Sequence, residues 1–202
     1  MITALTVNYN TPELLKNLLS SFRQFYDIPY LVVDGSDQKY YEQIKDFRTE
    51  FNISINHFDT NIHHGVGLAY GLKVIQTKQI LFIDSDILIL KGGFIEDLQS
   101  KLRHESYGIG DISEVNEFGI NIVKGIKYLH PSFALINREI ALNYPLPSKL
   151  GAPMLNAMKA NPLLQHEKWV ADDLLNSFKK KQCQYFVHEW GGTVRKTGGY
   201  NL

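Results

Sequence analysis

Two carboxylates separated by one small residue close an apolar run, Ile80-Leu81-Phe82-Ile83-Asp84-Ser85-Asp86. The run has the β-branched and aromatic residues of a buried strand. Side chains two positions apart on a strand leave it on the same side, and where the backbone turns both carboxylates can reach one point. Paired hard oxygen donors suit Mg²⁺ or Mn²⁺, ions that usually also hold a substrate phosphate. Such a pair can grip a nucleotide diphosphate and stabilise it as it leaves. Acids also end strands and cap turns with no ligand at all, and Asp-x-Asp is a short pattern. The elements around the pair have to decide between these readings.

Residues 2–7 read as a buried β-branched strand. Pro12 then sits where a helix begins, with Thr11 as its N-cap, and Leu14, Leu15, Leu18, Leu19, Phe22 and Phe25 follow at helical spacing. A strand over 30–33 ends at Asp34-Gly35-Ser36, a helix spans 40–51, and a short strand spans 53–57. A helix over 65–76 leads into the strand over 79–83 that carries the acids. This alternation predicts an α/β fold with a mostly parallel central sheet and helices on both faces. Ligands of such sheets bind beyond the carboxyl ends of the strands. Those ends are polar here: Asn8-Tyr9-Asn10, Asp34-Gly35-Ser36, His57 with Asp59, and Asp84-Ser85-Asp86. Beyond Asp86 the expected elements are a helix over 94–102, strands over 107–112 and 128–136, and a proline-rich loop with a short helix over 145–162. A helix over 168–181, a strand over 184–188 and a Gly-rich tail from Trp190 complete the chain. No repeat or linker divides it, so residues 1–90 and 91–202 read as a regular and an irregular half of one domain.

The chain has 202 residues, enough for one domain with a substantial core. Lys+Arg and Asp+Glu both number 21, so no global field recruits nucleic acid or an anionic membrane. The lone cysteine, Cys183, excludes an internal disulfide, fits a reducing compartment, and reads as a packed thiol. No apolar stretch approaches a membrane span and the N-terminus opens directly into a strand, which makes the cytoplasm the expected location.

Four features together resemble family 2 glycosyltransferases of the GT-A fold. They are Val7-Asn8-Tyr9-Asn10 before a Leu-rich helix, Val32-Val33-Asp34-Gly35-Ser36-Asp37, Asn61-Ile62-His63-His64-Gly65-Val66 at the start of the third helix, and the strand ending in Asp84-Ser85-Asp86. Their order and spacing carry the resemblance. It implies that Asp34 hydrogen-bonds the nucleotide base and that Asn8, Tyr9 and Asn10 line the same pocket, with Tyr9 offering a stacking face. On this resemblance Gly65 would be the glycine of the family's Asn-x-Gly motif. By the same resemblance Asp84 lies near the ribose or diphosphate, and Asp86 is a direct ligand of Mn²⁺ or Mg²⁺. The donor implied is a nucleoside-diphosphate sugar, with a UDP-sugar as the family-based expectation.

The second half adds three expectations. Trp169-Val170-Ala171-Asp172-Asp173 resembles the acidic pair that supplies the family's base, which makes Asp173 the expected base and Asp172 its near competitor. Taken alone, two acids there would only favour a helix N-terminus. His188, after the last strand, matches a histidine that many GT-A enzymes use as a further metal ligand, although strand-end histidines also bind backbone. Arg195 and Lys196 sit between glycines, in a segment that could close over a diphosphate or simply fray. Trp169 and Trp190 fit acceptor stacking or core packing, and His130 fits an acceptor contact or a strand start.

Two departures stand out. One of the usual consecutive acids is absent beside Asp34, and Ala69-Tyr70-Gly71 occupies the place of an Ala-Arg-Asn sequence whose arginine holds the diphosphate. Arg195, Lys196 or His64 are the available substitutes; otherwise His63 and His64 read as loop histidines. The function implied is metal-dependent, inverting transfer of a sugar to an acceptor hydroxyl. A nucleotidyltransferase is the competing enzyme, but Asn8-Tyr9-Asn10-Thr11-Pro12 stands where its Gly-rich basic loop would be. A nucleotide-sugar-binding domain without turnover is the competing non-enzyme, favoured by the missing arginine. The acceptor class is a glycan, a protein or a small molecule ahead of DNA.

Overall fold

A computed structural model describes residues 1–149, 151–161, 167–169, 175–177 and 180–189. In chain order the elements are β1 (Ile2–Asn8), α1 (Pro12–Arg23), β2 (Tyr30–Asp34), α2 (Gln38–Ile44), α3 (Phe47–Glu50), β3 (Ser54–His57), α4 (His64–Val74), β4 (Gln79–Ile83) and β5 (Ile87–Ile89). They continue with α5 (Phe94–Lys101), β6 (Gly108–Val115), β7 (Ile126–Asn137), α6 (Arg138–Ala141), α7 (Leu155–Ala160), β8 (Glu167–Lys168), β9 (Leu175–Ser177), β10 (Lys180–Gln182) and β11 (Phe186–His188). Among the described residues seven strands form the central sheet, in the order β3-β2-β1-β4-β7-β6-β8. All run in one direction except β7, which is antiparallel to both neighbours.

Alternation along the inner strands sorts side chains into two cores. Ala4, Val32, Leu81 and Ile83 face Leu15, Leu18, Leu19 and Phe22 of α1 and Phe94, Ile95 and Leu98 of α5. Leu5, Val33, Ile80 and Phe82 face Leu68 and Leu72 of α4 and Leu155 and Met158 of α7. Helices therefore cover both faces, as the alternation of elements requires. The carboxyl ends of β1, β2, β3 and β4 then open along one edge of the sheet.

A second, four-stranded sheet runs β5-β11-β10-β9. Its first strand begins immediately after Asp86, and its register sets His188 opposite Ile87. The helix expected over 168–181 is not what forms: among the described residues Leu175–Ser177 and Lys180–Gln182 are antiparallel strands. Partners on both sides of β10 outweigh a local pattern that is compatible with either state. The helix expected over 40–51 is broken at Lys45 and Asp46. Beyond the break Phe47 and Phe51 meet edge-on at 5.3 Å, and Arg48 donates to the Ile55 carbonyl at 2.8 Å. Thr11 precedes α1 but makes no side-chain cap; its hydroxyl donates instead to Asn8 Oδ1 at 2.9 Å. Among the described residues no helix is long and apolar enough to cross a membrane.

Candidate active site

Asp84 leaves the end of β4, and its amide donates to the Ser132 carbonyl of β7 at 2.9 Å. The chain then turns, with the Ile87 amide donating to the Asp84 carbonyl at 3.2 Å. β11 crosses at this turn, and the Glu189 amide donates to the Asp86 carbonyl at 3.0 Å. The turn and the crossing strand together place His188 Nε2 3.0 Å from Asp86 Oδ1 and 3.7 Å from Asp84 Oδ2. Among the described residues, Asp84, Asp86 and His188 each offer a metal-ligating atom, all within 4.8 Å of one another. Asp86 is 8% exposed and His188 3% exposed, so these polar groups are held together out of water. Two carboxylates supply the hard oxygen donors that Mn²⁺ and Mg²⁺ take, and the imidazole is a ligand for a transition metal, so the donor set fits a divalent cation.

Asp84 is surrounded by histidines. His64, the first residue of α4, puts Nε2 3.2 Å from Asp84 Oδ1, the oxygen not directed at His188. Burial pushes the Asp84 carboxyl towards its neutral form, but the imidazoles of His64, His188 and His130 outweigh this and hold it well below the usual carboxylate range. His130 is turned by its own neighbours: Nδ1 lies 3.0 Å from Ser132 Oγ, and its ring meets Tyr128 edge-on at 5.8 Å.

Along the same edge, Asp34 is fully buried and both oxygens already have protein partners. Oδ1 accepts from Asn8 Nδ2 at 2.7 Å and from the Ser36 hydroxyl at 2.6 Å. Oδ2 faces His57 Nδ1 at 2.7 Å and the Ser36 amide at 3.4 Å. His57 in turn stacks on Tyr41 with ring centroids 3.8 Å apart. Asp34 thus ties the ends of β1, β2 and β3 together. Asn10, at φ 56°, exchanges two hydrogen bonds with Asp37, each of 2.9 Å, and its amide donates to the Ser36 hydroxyl. Tyr9, in the same turn, is half-buried.

Gly65 is a packing residue in this structure. A Cβ there would lie 1.7 Å from the Ser148 carbonyl oxygen and 3.0 Å from Pro153. Trp169 belongs to the core, stacked on Phe133 at 5.4 Å with its indole N–H donating to Asp97 Oδ2 at 2.6 Å. Cys183 is buried, and its sulfur accepts from the Tyr185 amide at 3.4 Å. The expected base pair Asp172 and Asp173, the cations Arg195 and Lys196, and Trp190 lie outside the described residues. Sequence reasoning expected His188 at the metal with Asp86 and noted His57 at a strand end, but it missed that His57 meets Asp34 and that His64 meets Asp84, pairings that nothing local signals.

The glycosyl transferase family 2 pattern matches residues 3–155, the segment that carries β1 through the start of α7. The chain belongs to glycosyl transferase family 2. Solved structures agree with the fold of this family 2 chain. S. aureus TarS 1-349 in complex with UDP-GlcNAc superposes with a TM-score of 0.63 at 18% identity, over 92% of this chain and 57% of that one. The mannosyltransferase PcManGT from Pyrobaculum calidifontis, in complex with GDP-Man and Mn²⁺, superposes with a TM-score of 0.63 at 12% identity, over 83% of this chain and 54% of that one. This chain therefore spans little more than half the length of these two structures. No curated protein matches it.

Proposed function

We propose that this family 2 chain transfers a sugar from a nucleoside-diphosphate sugar to an acceptor hydroxyl, with inversion at the anomeric carbon. The observation that carries the reading is the convergence of Asp84, Asp86 and His188 at the carboxyl edge of the sheet. Asp86 and His188 would hold Mn²⁺ or Mg²⁺ with Asp84 beside them, and the ion would supply positive charge to the departing diphosphate. The joined ends of β1 and β2 would seat the nucleoside, with Tyr9 and Asn10 at its surface. Asp34 would act there by fixing Asn8 and Ser36, since its own oxygens are engaged. Asp173, or its neighbour Asp172, would take the proton of the acceptor hydroxyl as that oxygen bonds to the anomeric carbon and the sugar–diphosphate bond breaks. Arg195 and Lys196 would cover the diphosphate. Neighbours solved with UDP-GlcNAc and with GDP-Man support a diphosphate-sugar donor, and the uracil expectation rests on the family resemblance.

Calorimetric titration of UDP and GDP, with Mn²⁺ and with chelator, tests the reading on wild type and Asp86→Ala. The expected result is binding of UDP that needs the ion and disappears in the variant. Binding that ignores both the chelator and the substitution would overturn the metal role. Transfer lost in Asp173→Ala with UDP binding intact would support that residue as the base.

A further inference from the structure

Asp84 has a histidine facing each of its oxygens, from opposite halves of the chain. His188 lies 3.7 Å from Oδ2 and His64 lies 3.2 Å from Oδ1. His64 reaches the carboxylate because the start of α4 is pinned in two independent ways. Gly65 is pressed so closely against the Ser148 carbonyl that no side chain fits between them. His63, just before, is held at φ 64° and ψ 151°, a conformation that is strained for a residue with a Cβ and persists only where its surroundings enforce it. The fold therefore fixes the imidazole rather than letting it hang from a loose loop. His64 keeps 29% of its side chain exposed.

We infer that His64 is a positioning residue for the metal site: it fixes the rotation of the Asp84 carboxylate so that Oδ2 is presented towards Asp86 and His188. An imidazole that meets a carboxylate oxygen at 3.2 Å does so as a donor, so Nε2–H points at Oδ1 and removes that oxygen from competition for the ion. Partners of this kind, which hold a ligand without touching the metal, commonly govern affinity by 10–100-fold. The inference rests on the metal reading proposed above and adds a residue from an element that contributes no ligand itself.

The test is Mn²⁺ binding, followed by the electron paramagnetic resonance signal of the free ion, on wild type, His64→Ala, His64→Gln and Asp86→Ala, each without and with UDP. His64→Ala should weaken Mn²⁺ binding by about tenfold in both conditions. His64→Gln, whose amide can donate from nearly the same place, should recover most of that loss, and the melting temperature of both variants should stay at the wild-type value. Unchanged Mn²⁺ affinity in His64→Ala, with Asp86→Ala impaired, overturns the inference and leaves the metal site standing. Weakened UDP binding alone would overturn it in favour of a direct phosphate contact by His64. Wild type that takes up no Mn²⁺ in either condition removes the metal reading and this inference together.

Discussion

The carboxylate of Asp34 accepts from Asn8 and Ser36 on one oxygen and faces His57 on the other, with no exposed surface. Removing it leaves several buried donors without an acceptor, and such groups are costly to strand. Asp34→Ala should therefore lower stability by about 2–4 kcal/mol in chemical denaturation. Asp34→Asn, which keeps one acceptor oxygen, should cost less. If Asp34 instead reads the base directly, Asn would weaken nucleotide binding while leaving the denaturation curve in place. Asp84 differs in kind: it is half-buried, and His64 faces one of its oxygens while His188 lies nearer the other.

Two elements owe their placement to groups far away in sequence. The N-terminus of α5 is capped by a tyrosine that follows α1: Tyr26 Oη accepts from the amides of Gly93 at 2.6 Å and Ile95 at 3.3 Å, and donates to Glu96 Oε2 at 2.9 Å. Tyr26→Phe should cost about 1–2 kcal/mol, measured by urea denaturation. Burial, with the hydrogen bond to Glu96, pushes the Tyr26 phenol up to about 12, although the two amides pull the other way. A phenol raised in the folded state lends stability that is complete below its unfolded value near 10 and is lost as pH climbs through the folded value. The stability difference between wild type and Tyr26→Phe should accordingly shrink between about pH 10 and 12. The start of α4 makes the other case. Adding one methyl at Gly65 ordinarily favours a helix by roughly 1 kcal/mol. Here it collides with the Ser148 backbone, so Gly65→Ala should destabilise by about 1–3 kcal/mol and also weaken Mn²⁺ binding through His64.

The two faces of the sheet cannot unfold separately, because each inner strand feeds both cores. Leu135 of β7 belongs to the α1–α5 side, while its neighbours Ala134 and Ile136 belong to the α4–α7 side. Leu18→Ala on one face and Leu72→Ala on the other each empty a fully buried site, and each should cost about 2–5 kcal/mol. Both variants should show a single transition, with fluorescence and circular dichroism coinciding. Separate transitions would mean the faces are independent units. The seven-stranded sheet thereby serves as one rigid support for the ends of β1, β2, β3 and β4, where the candidate site lies.

Within the first 90 residues almost everything that positions the site was legible, because it depends on local pattern. β-Branched runs gave the strands, helical spacing from Leu14 to Phe22 gave α1, and the abrupt stop at Asp84-Ser85-Asp86 located the paired acids. Those features follow from side-chain periods of 2 and 3.6, which any stretch of chain carries by itself. What Asp34 and Asp84 touch was not legible, because no local rule pairs position 34 with 57, or 84 with 64. The same holds for the stretch over 168–181, where β9 pairs with β10 and β10 with β11, so that distant partners decide in favour of strand among the described residues. The Asp-x-Asp turn is a property of the sequence, whereas its conversion into a three-residue site was decided by tertiary structure: β11 hydrogen-bonds along β5 in the register that sets His188 opposite Ile87.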